Sequence, residues 1–172
     1  MLASPLVLLA SARPAGHTAA LMHNVLAPVN YMVLDLLGVP LAPYSYTEPY
    51  PANDAFGSLI RQVLRHEVLI LATPVYWYAM SGLLKTYFDR LTDLVTTEKA
   101  LGRQLRGKRL FVLASGTEAA LPPGFEEPFR RTARYFDMTF GGSLYYSQHY
   151  PLPPPEWAAA SHAFRARLAS TA

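Results

Sequence analysis

The chain has 172 residues, 51% hydrophobic and 16% charged, a globular balance that excludes a disordered polymer. Its 15 Lys and Arg against 12 Asp and Glu give +3 with no basic block, so the charge reads as a solvated surface and not as a nucleic-acid footprint. The lack of cysteine removes disulfides, thiolate metal ligands, redox dithiols and cysteine nucleophiles together.

The length suits one domain over residues 1–172 with a substantial core. The first apolar run, Leu6 to Ala10, is too short to span a membrane and follows no basic stretch. A soluble, cytoplasmic protein with no membrane or nucleic-acid partner is expected.

Residues 5–10 (PLVLLA) form the continuous apolar run of a buried parallel strand. Helical spacing follows, with Leu21, Met22, Val25 and Leu26 on one face and Pro28 as the stop. Residues 31–36 (YMVLDL) read as a second strand. In 53–65, N-cap candidates precede Phe56, Leu59, Ile60, Val63 and Leu64 at helical spacing. EVLILATP (67–74) is the strongest strand pattern. A single long helix is expected from about Ser81 to Thr96, with Leu83, Leu84, Tyr87, Phe88, Leu91, Leu94 and Val95 inward. KRLFVLASG (108–116) is a fourth strand. Residues 125–137 read as a helix with Glu126, Glu127 and Pro128 suited to its first turn. TFGGSLYYS (139–147) is a weaker fifth strand, and 156–169 a closing helix.

Strict alternation of strand and helix predicts an α/β domain with helices on both faces of a parallel sheet. Five strands favour the doubly wound flavodoxin-like order 2-1-3-4-5. Two Pro- and Tyr-rich segments, 40–51 and 149–155, fall between elements.

In such sheets ligands bind beyond the carboxyl ends of the strands, at the switch point. Three loops should meet there: 11–18, 73–82 and 114–124. In SARPAGHT (11–18), Ser11 and Thr18 offer hydroxyls, Gly16 lets backbone amides turn inward, and a helix start faces the loop. Arg13 adds a forked cationic donor suited to phosphate oxygens. His17 is either a further phosphate donor or an exposed helix-start residue. Neither the Gly-x-Gly-x-x-Gly pattern of dinucleotide sites nor the Gly-Lys-Ser/Thr of triphosphate sites is present, so a monophosphate fits better. The second loop carries Tyr76, Trp77 and Tyr78 in succession, and alternation at a strand end must expose at least one of them. An exposed ring at a crevice suits stacking on a flat ligand, or packing on a neighbouring subunit. Pro74 fixes this turn, and Gly82 is expected to permit close approach of the helix start. Ala114, Ser115, Gly116 and Thr117 make a small, permissive third wall. Phosphate, flat ring and permissive wall together describe FMN.

ASARPAGHTAAL and TPVYWYAMSGLLKTYFDR resemble the two signatures of the flavodoxin-like NAD(P)H-dependent FMN reductase and oxidoreductase family, and the likeness runs to about residue 148. The resemblance implies phosphate contacts from Ser11, Arg13, His17 and Thr18. It implies flavin-ring contacts from Pro74, Val75, Tyr76, Trp77 and Tyr78, with Ser115 and Gly116. It further implies hydride transfer from NADH or NADPH to flavin N5, then delivery to a small acceptor such as a quinone, a nitro or azo compound, free flavin or a metal ion. No side chain need act as a catalytic acid or base, and no resident metal is expected. The resemblance also implies a homodimer or homotetramer. Ala10 stands where the family has glycine. Lys85 and Asp89, at i and i+4, are placed to pair, and with Arg90 read as structural. Tyr44, Tyr46 and Tyr50, like Tyr145 and Tyr146, either close over the flavin or cover sheet edges and subunit contacts. The alternatives are a flavodoxin-type electron carrier, which this basic chain suits poorly, and a non-catalytic FMN sensor.

Overall fold

A computed structural model describes residues 4–170. Five parallel strands, β1 (Leu6–Leu9), β2 (Met32–Asp35), β3 (Val68–Pro74), β4 (Arg109–Gly116) and β5 (Thr139–Ser147), form one sheet in the order β2-β1-β3-β4-β5. This is the expected doubly wound arrangement. Consecutive strands are joined by helices because a parallel pair cannot be closed by a hairpin.

Among the described residues, seven α-helices cover the two faces: α1 (His17–Leu26), α2 (Phe56–Val63), α3 (Gly82–Arg90), α4 (Asp93–Thr96), α5 (Lys99–Gly102), α6 (Glu127–Tyr135) and α7 (Pro154–Ala169). Strand alternation splits the apolar runs between two cores. Leu6, Leu8, Leu69, Leu71, Leu110 and Val112 face the α2, α3 and α6 side. Val7, Leu9, Ile70, Phe111 and Leu113 face α1 and α7, where they meet Met22, Val25 and Phe164. Each such buried side chain contributes about 1.5–3 kcal/mol relative to exposure. Among the described residues, no helix is long and apolar enough to cross a membrane.

The strands match their expected positions, while the helix expected over 81–96 does not survive intact. It ends at Arg90 and resumes as the short α4 and α5. The Leu91 and Thr92 amides bond three residues back, to Phe88 and Asp89, which tightens the chain out of α geometry. Two causes coincide there. Thr92, Val95, Thr96 and Thr97 are poor helix formers, and Arg90 draws the Asp93 carboxylate to 2.8 Å from its Nε. The closing helix starts two residues earlier than its pattern suggests, because Pro154 and Pro155 sit in its first turn, where no amide is needed.

The weak fifth strand owes its form to two glycines. Leu110 pairs with Phe140 and Phe111 with Gly142, so Gly141 is an extra residue in a bulge. A Cβ at Gly141 would lie 2.1 Å from the Phe111 ring, and Gly142 has φ +99°. Neither position accepts a larger residue without moving the strand.

Candidate functional site

The ends of β1, β3 and β4 converge on one cavity of about 540 Å³. Ser11, Arg13, Gly16, His17 and Thr18 line it from the first loop, Pro74, Val75, Tyr76 and Trp77 from the second, and Ser115 and Gly116 from the third. Tyr78, expected with them, does not line it. Thr117 lines it with the rest of the expected third wall, and Gln148 lines it although no contact was expected there. Gln148 follows β5 directly, and its amide donates to the Gly116 carbonyl at 2.8 Å. The switch-point rule, applied to the end of the fifth strand as well, would have found it.

The first loop is built to present donors. Ala10 continues the strand ladder, its amide bonding Ala72 at 2.8 Å, so the loop proper begins at Ser11 and the alanine in place of glycine is absorbed within the buried strand end. The Gly16 amide closes the turn on the Arg13 carbonyl at 3.1 Å. A Cβ on Gly16 would come within 3.1 Å of Arg13 Cβ and 3.2 Å of its carbonyl oxygen. Helix α1 then starts without a side-chain cap. Among the described residues, the amides of His17, Thr18 and Ala19 have no acceptor, leaving the orphan donors of a helix start aimed into the loop. Thr18 and Ser115, both buried, join hydroxyls at 2.8 Å and tie the first loop to the third. The Arg13 side chain is exposed and meets no acidic partner among the described residues.

The second loop is a hairpin. The Tyr76 amide bonds the Ala79 carbonyl at 2.9 Å and the Ala79 amide returns to Tyr76 at 3.0 Å. The two residues between them, Trp77 and Tyr78, both have positive φ, +49° and +64°. Such a turn favours Asn-Gly, and each bulky residue held there costs about 1–3 kcal/mol. Trp77 at the tip is 93% exposed. All three aromatics are exposed, more than alternation alone requires.

The hairpin stands on a rigid base that the sequence did not disclose. Buried Ser81 caps α3 through the Leu84 amide, donates from Oγ to the Ala10 carbonyl at 2.7 Å, and donates its own amide to Thr73 Oγ1 at 3.1 Å. The ends of β1 and β3 and the start of α3 are thereby locked together. Gly82 does not have the role expected of it, since a Cβ there meets nothing within 4 Å. Close approach occurs at Gly116 instead, where a Cβ would lie 2.7 Å from Tyr145 Oη and 3.3 Å from Val75 Cβ. Tyr145 Oη donates to the Glu118 carbonyl at 2.9 Å. Burial, then the nearby Glu118 charge, pushes this phenol above its ordinary range, so it stays neutral.

Of the tyrosines in the 40–51 segment, none lines the cavity. Tyr50 lies under the Arg90 guanidinium, 3.5 Å from ring centroid to carbon, and donates to Asp93 Oδ1 at 2.9 Å. Arg90 also holds Asp54 in a fork, at 2.7 and 3.0 Å. Burial alone would raise the Asp54 carboxyl, but Arg90 and the amides of Ala42 and Phe56 outweigh it and hold the group below its usual range. Lys85 and Asp89 pair on the surface of α3, as their spacing predicts.

The model of the NADPH-dependent FMN reductase family matches residues 5–147. The chain belongs to this family. YwqN of Bacillus subtilis, named as an NAD(P)H-dependent FMN-containing oxidoreductase, is 30% identical over 96 residues, covering 54% of this chain and 53% of that protein. The FMN-dependent NADH:quinone oxidoreductase of Azotobacter vinelandii is 33% identical over 118 residues, covering 63% of this chain and 59% of that one. The chain thus spans little more than half the length of these relatives. The solved Trp repressor binding protein of Bacillus subtilis shares the fold, with TM-score 0.72 and 23% identity over 97% of this chain and 99% of that one.

Proposed function

We propose that this FMN reductase family member is an NAD(P)H-dependent oxidoreductase that holds FMN in the cavity at the strand ends and serves a small flat acceptor, of the quinone, nitro or azo type. The observation that carries the proposal is the pairing of an uncapped helix start and an Arg13 without an acidic partner among the described residues with an exposed aromatic hairpin, across a cavity of about 540 Å³. One end suits a phosphate and the other a flat ring.

FMN supplies hydride acceptance and electron delivery when bound, and the protein supplies binding and orientation. The amides of His17 to Ala19, the Thr18 hydroxyl and the Arg13 fork would hold the phosphate, with Ser115 bonding Thr18 from the third loop. Val75, Tyr76 and Gly116 would flank the ring, with Gly116 letting backbone approach it. Trp77 would cover the face where donor and acceptor alternate. His17 would complete the phosphate shell as a donor. Tyr78 stands off the cavity and is assigned no contact. The exposed Tyr46, Tyr78 and Trp77 supply apolar surface for a homodimer or homotetramer.

Visible absorption of FMN-loaded protein under anaerobic NADH or NADPH tests the reading. Rapid bleaching is the expected result. Flavin that binds but stays oxidised would instead identify an electron carrier or sensor.

A further inference from the structure

A second cleft of about 320 Å³ opens beside the flavin cavity, and His17 lines both. Its floor is one stripe of α1, His17, Leu21 and Asn24, running about 10 Å away from the phosphate end of the cavity. Tyr146 and Trp157 wall it, in edge-to-face contact at 5.3 Å between ring centroids. Leu152, 46% exposed on the Pro-rich segment, closes the outer side. Among the described residues, no carboxylate lines the cleft.

We propose that this cleft seats the adenosine half of the reduced pyridine nucleotide, a subsite that rests on the oxidoreductase reading above. Its position argues for a long, two-part ligand. It adjoins the phosphate end of the main cavity, through His17, and not the Trp77 end where electrons would be exchanged. An acceptor lodged in it would be too remote to react, whereas the distal half of a donor needs only to be held there. Its chemistry suits adenine. The aromatic and aliphatic walls offer faces to a flat base, and the Asn24 side-chain amide carries both a donor and an acceptor, the pair that matches adenine's amino and ring-nitrogen edge. His17, shared by the two sites, marks where the diphosphate joining the halves would pass, and among the described residues no acidic side chain lines either site. The volume falls in the usual range for small-molecule sites, about 300–1,000 Å³.

The test uses FMN-saturated protein, so that the phosphate loop is occupied, and two substitutions at exposed positions, Asn24→Ala and Leu152→Asp. Calorimetric titration with 5′-AMP should show binding to the parent chain and at least tenfold weaker binding to each variant. In anaerobic flavin reduction, kcat/KM for NADH should fall about tenfold in the variants, while reduced nicotinamide mononucleotide, which lacks the adenosine half, should lose nothing. Failure of 5′-AMP to bind the parent, equal binding to parent and variants, or equal losses with the two donors would each overturn the subsite. Flavin that neither donor reduces would overturn the oxidoreductase reading itself and the subsite with it. The two failures are therefore distinguishable.

Discussion

Each of the two sequence signatures contributes an arginine, and the two arginines have opposite surroundings. Arg90 is 2% exposed and fully engaged: two nitrogens on Asp54, one on Asp93, one shared with the Ala42 carbonyl, and the guanidinium face on Tyr50. Arg13 is exposed at a cavity mouth with no acidic partner among the described residues. The Arg90 cluster fastens the 40–55 segment to α3 and so fixes one side of the molecule. The Arg13 guanidinium makes no ion pair among the described residues and has its charge available for a ligand. A motif match alone gives both arginines the same weight. Burial and pairing separate the one that builds the scaffold from the one whose charge is left for a ligand.

The largest effect should come from breaking the buried cluster. Asp54→Ala strands part of a buried cation, which costs about 3 kcal/mol or more. For a chain of this size that is a fall in melting temperature of roughly 6–12 °C. Because the folded Asp54 is held below its ordinary range, its contribution is complete above the unfolded carboxyl's pKa and is lost as pH falls through the lower folded value. The stability gap between parent and variant, followed by thermal melts, should stay level from neutral to mildly acidic pH and narrow only in strong acid. A gap that closed already near neutrality would show that the pair is not what holds the segment.

Arg13→Ala should do the converse. Loss of a charge-assisted phosphate contact weakens FMN binding by about 1.5–3 kcal/mol, roughly ten- to hundredfold. Folding stability should move by no more than about 0.5 kcal/mol, as for any unpartnered surface residue. Quenching of flavin fluorescence on titration reads the first and urea unfolding the second. Unchanged FMN affinity would remove Arg13 from the phosphate shell.

Much of this contrast is legible in the chain itself, and the exceptions have physical reasons. Apolar runs such as VLILATP announce buried parallel strands, and their order then dictates which loops meet. Ser11, Arg13 and Thr18 could be placed at the cavity because loop chemistry and topology agree there. Gln148 escaped notice because it follows the fifth strand, outside the three loops that the topology singled out. Ser81 and Thr73 escaped because a buried hydroxyl's partners are distant in sequence, Ala10 being 71 residues from Ser81. The break after Arg90 is set by a tertiary ion pair, which the helical period of Leu84, Tyr87 and Leu91 does not record. The hairpin was illegible for the opposite reason: Trp-Tyr is among the last pairs that turn chemistry would choose.

That hairpin adds a third case to the two arginines, a site feature that the fold maintains at its own expense. Trp77→Asn with Tyr78→Gly would give the turn the residues its geometry prefers. The double variant should gain about 1–2 kcal/mol, since two bulky residues no longer sit at positive φ, offset in part by the greater freedom of glycine in the unfolded chain. Exposed Trp77 buries little in the isolated chain, so its loss should subtract almost nothing from stability. Turnover of a flat quinone should fall, by about 0.5–1.5 kcal/mol of lost ring stacking, or roughly two- to tenfold in kcal-equivalent rate. Thermal melts and steady-state rates on the same preparation check both halves. A variant that is more stable and equally active would mean that the strained turn serves the assembly of subunits and not the substrate. A variant that is less stable would mean that the aromatic pair is held by packing, and that the positive φ angles carry little strain.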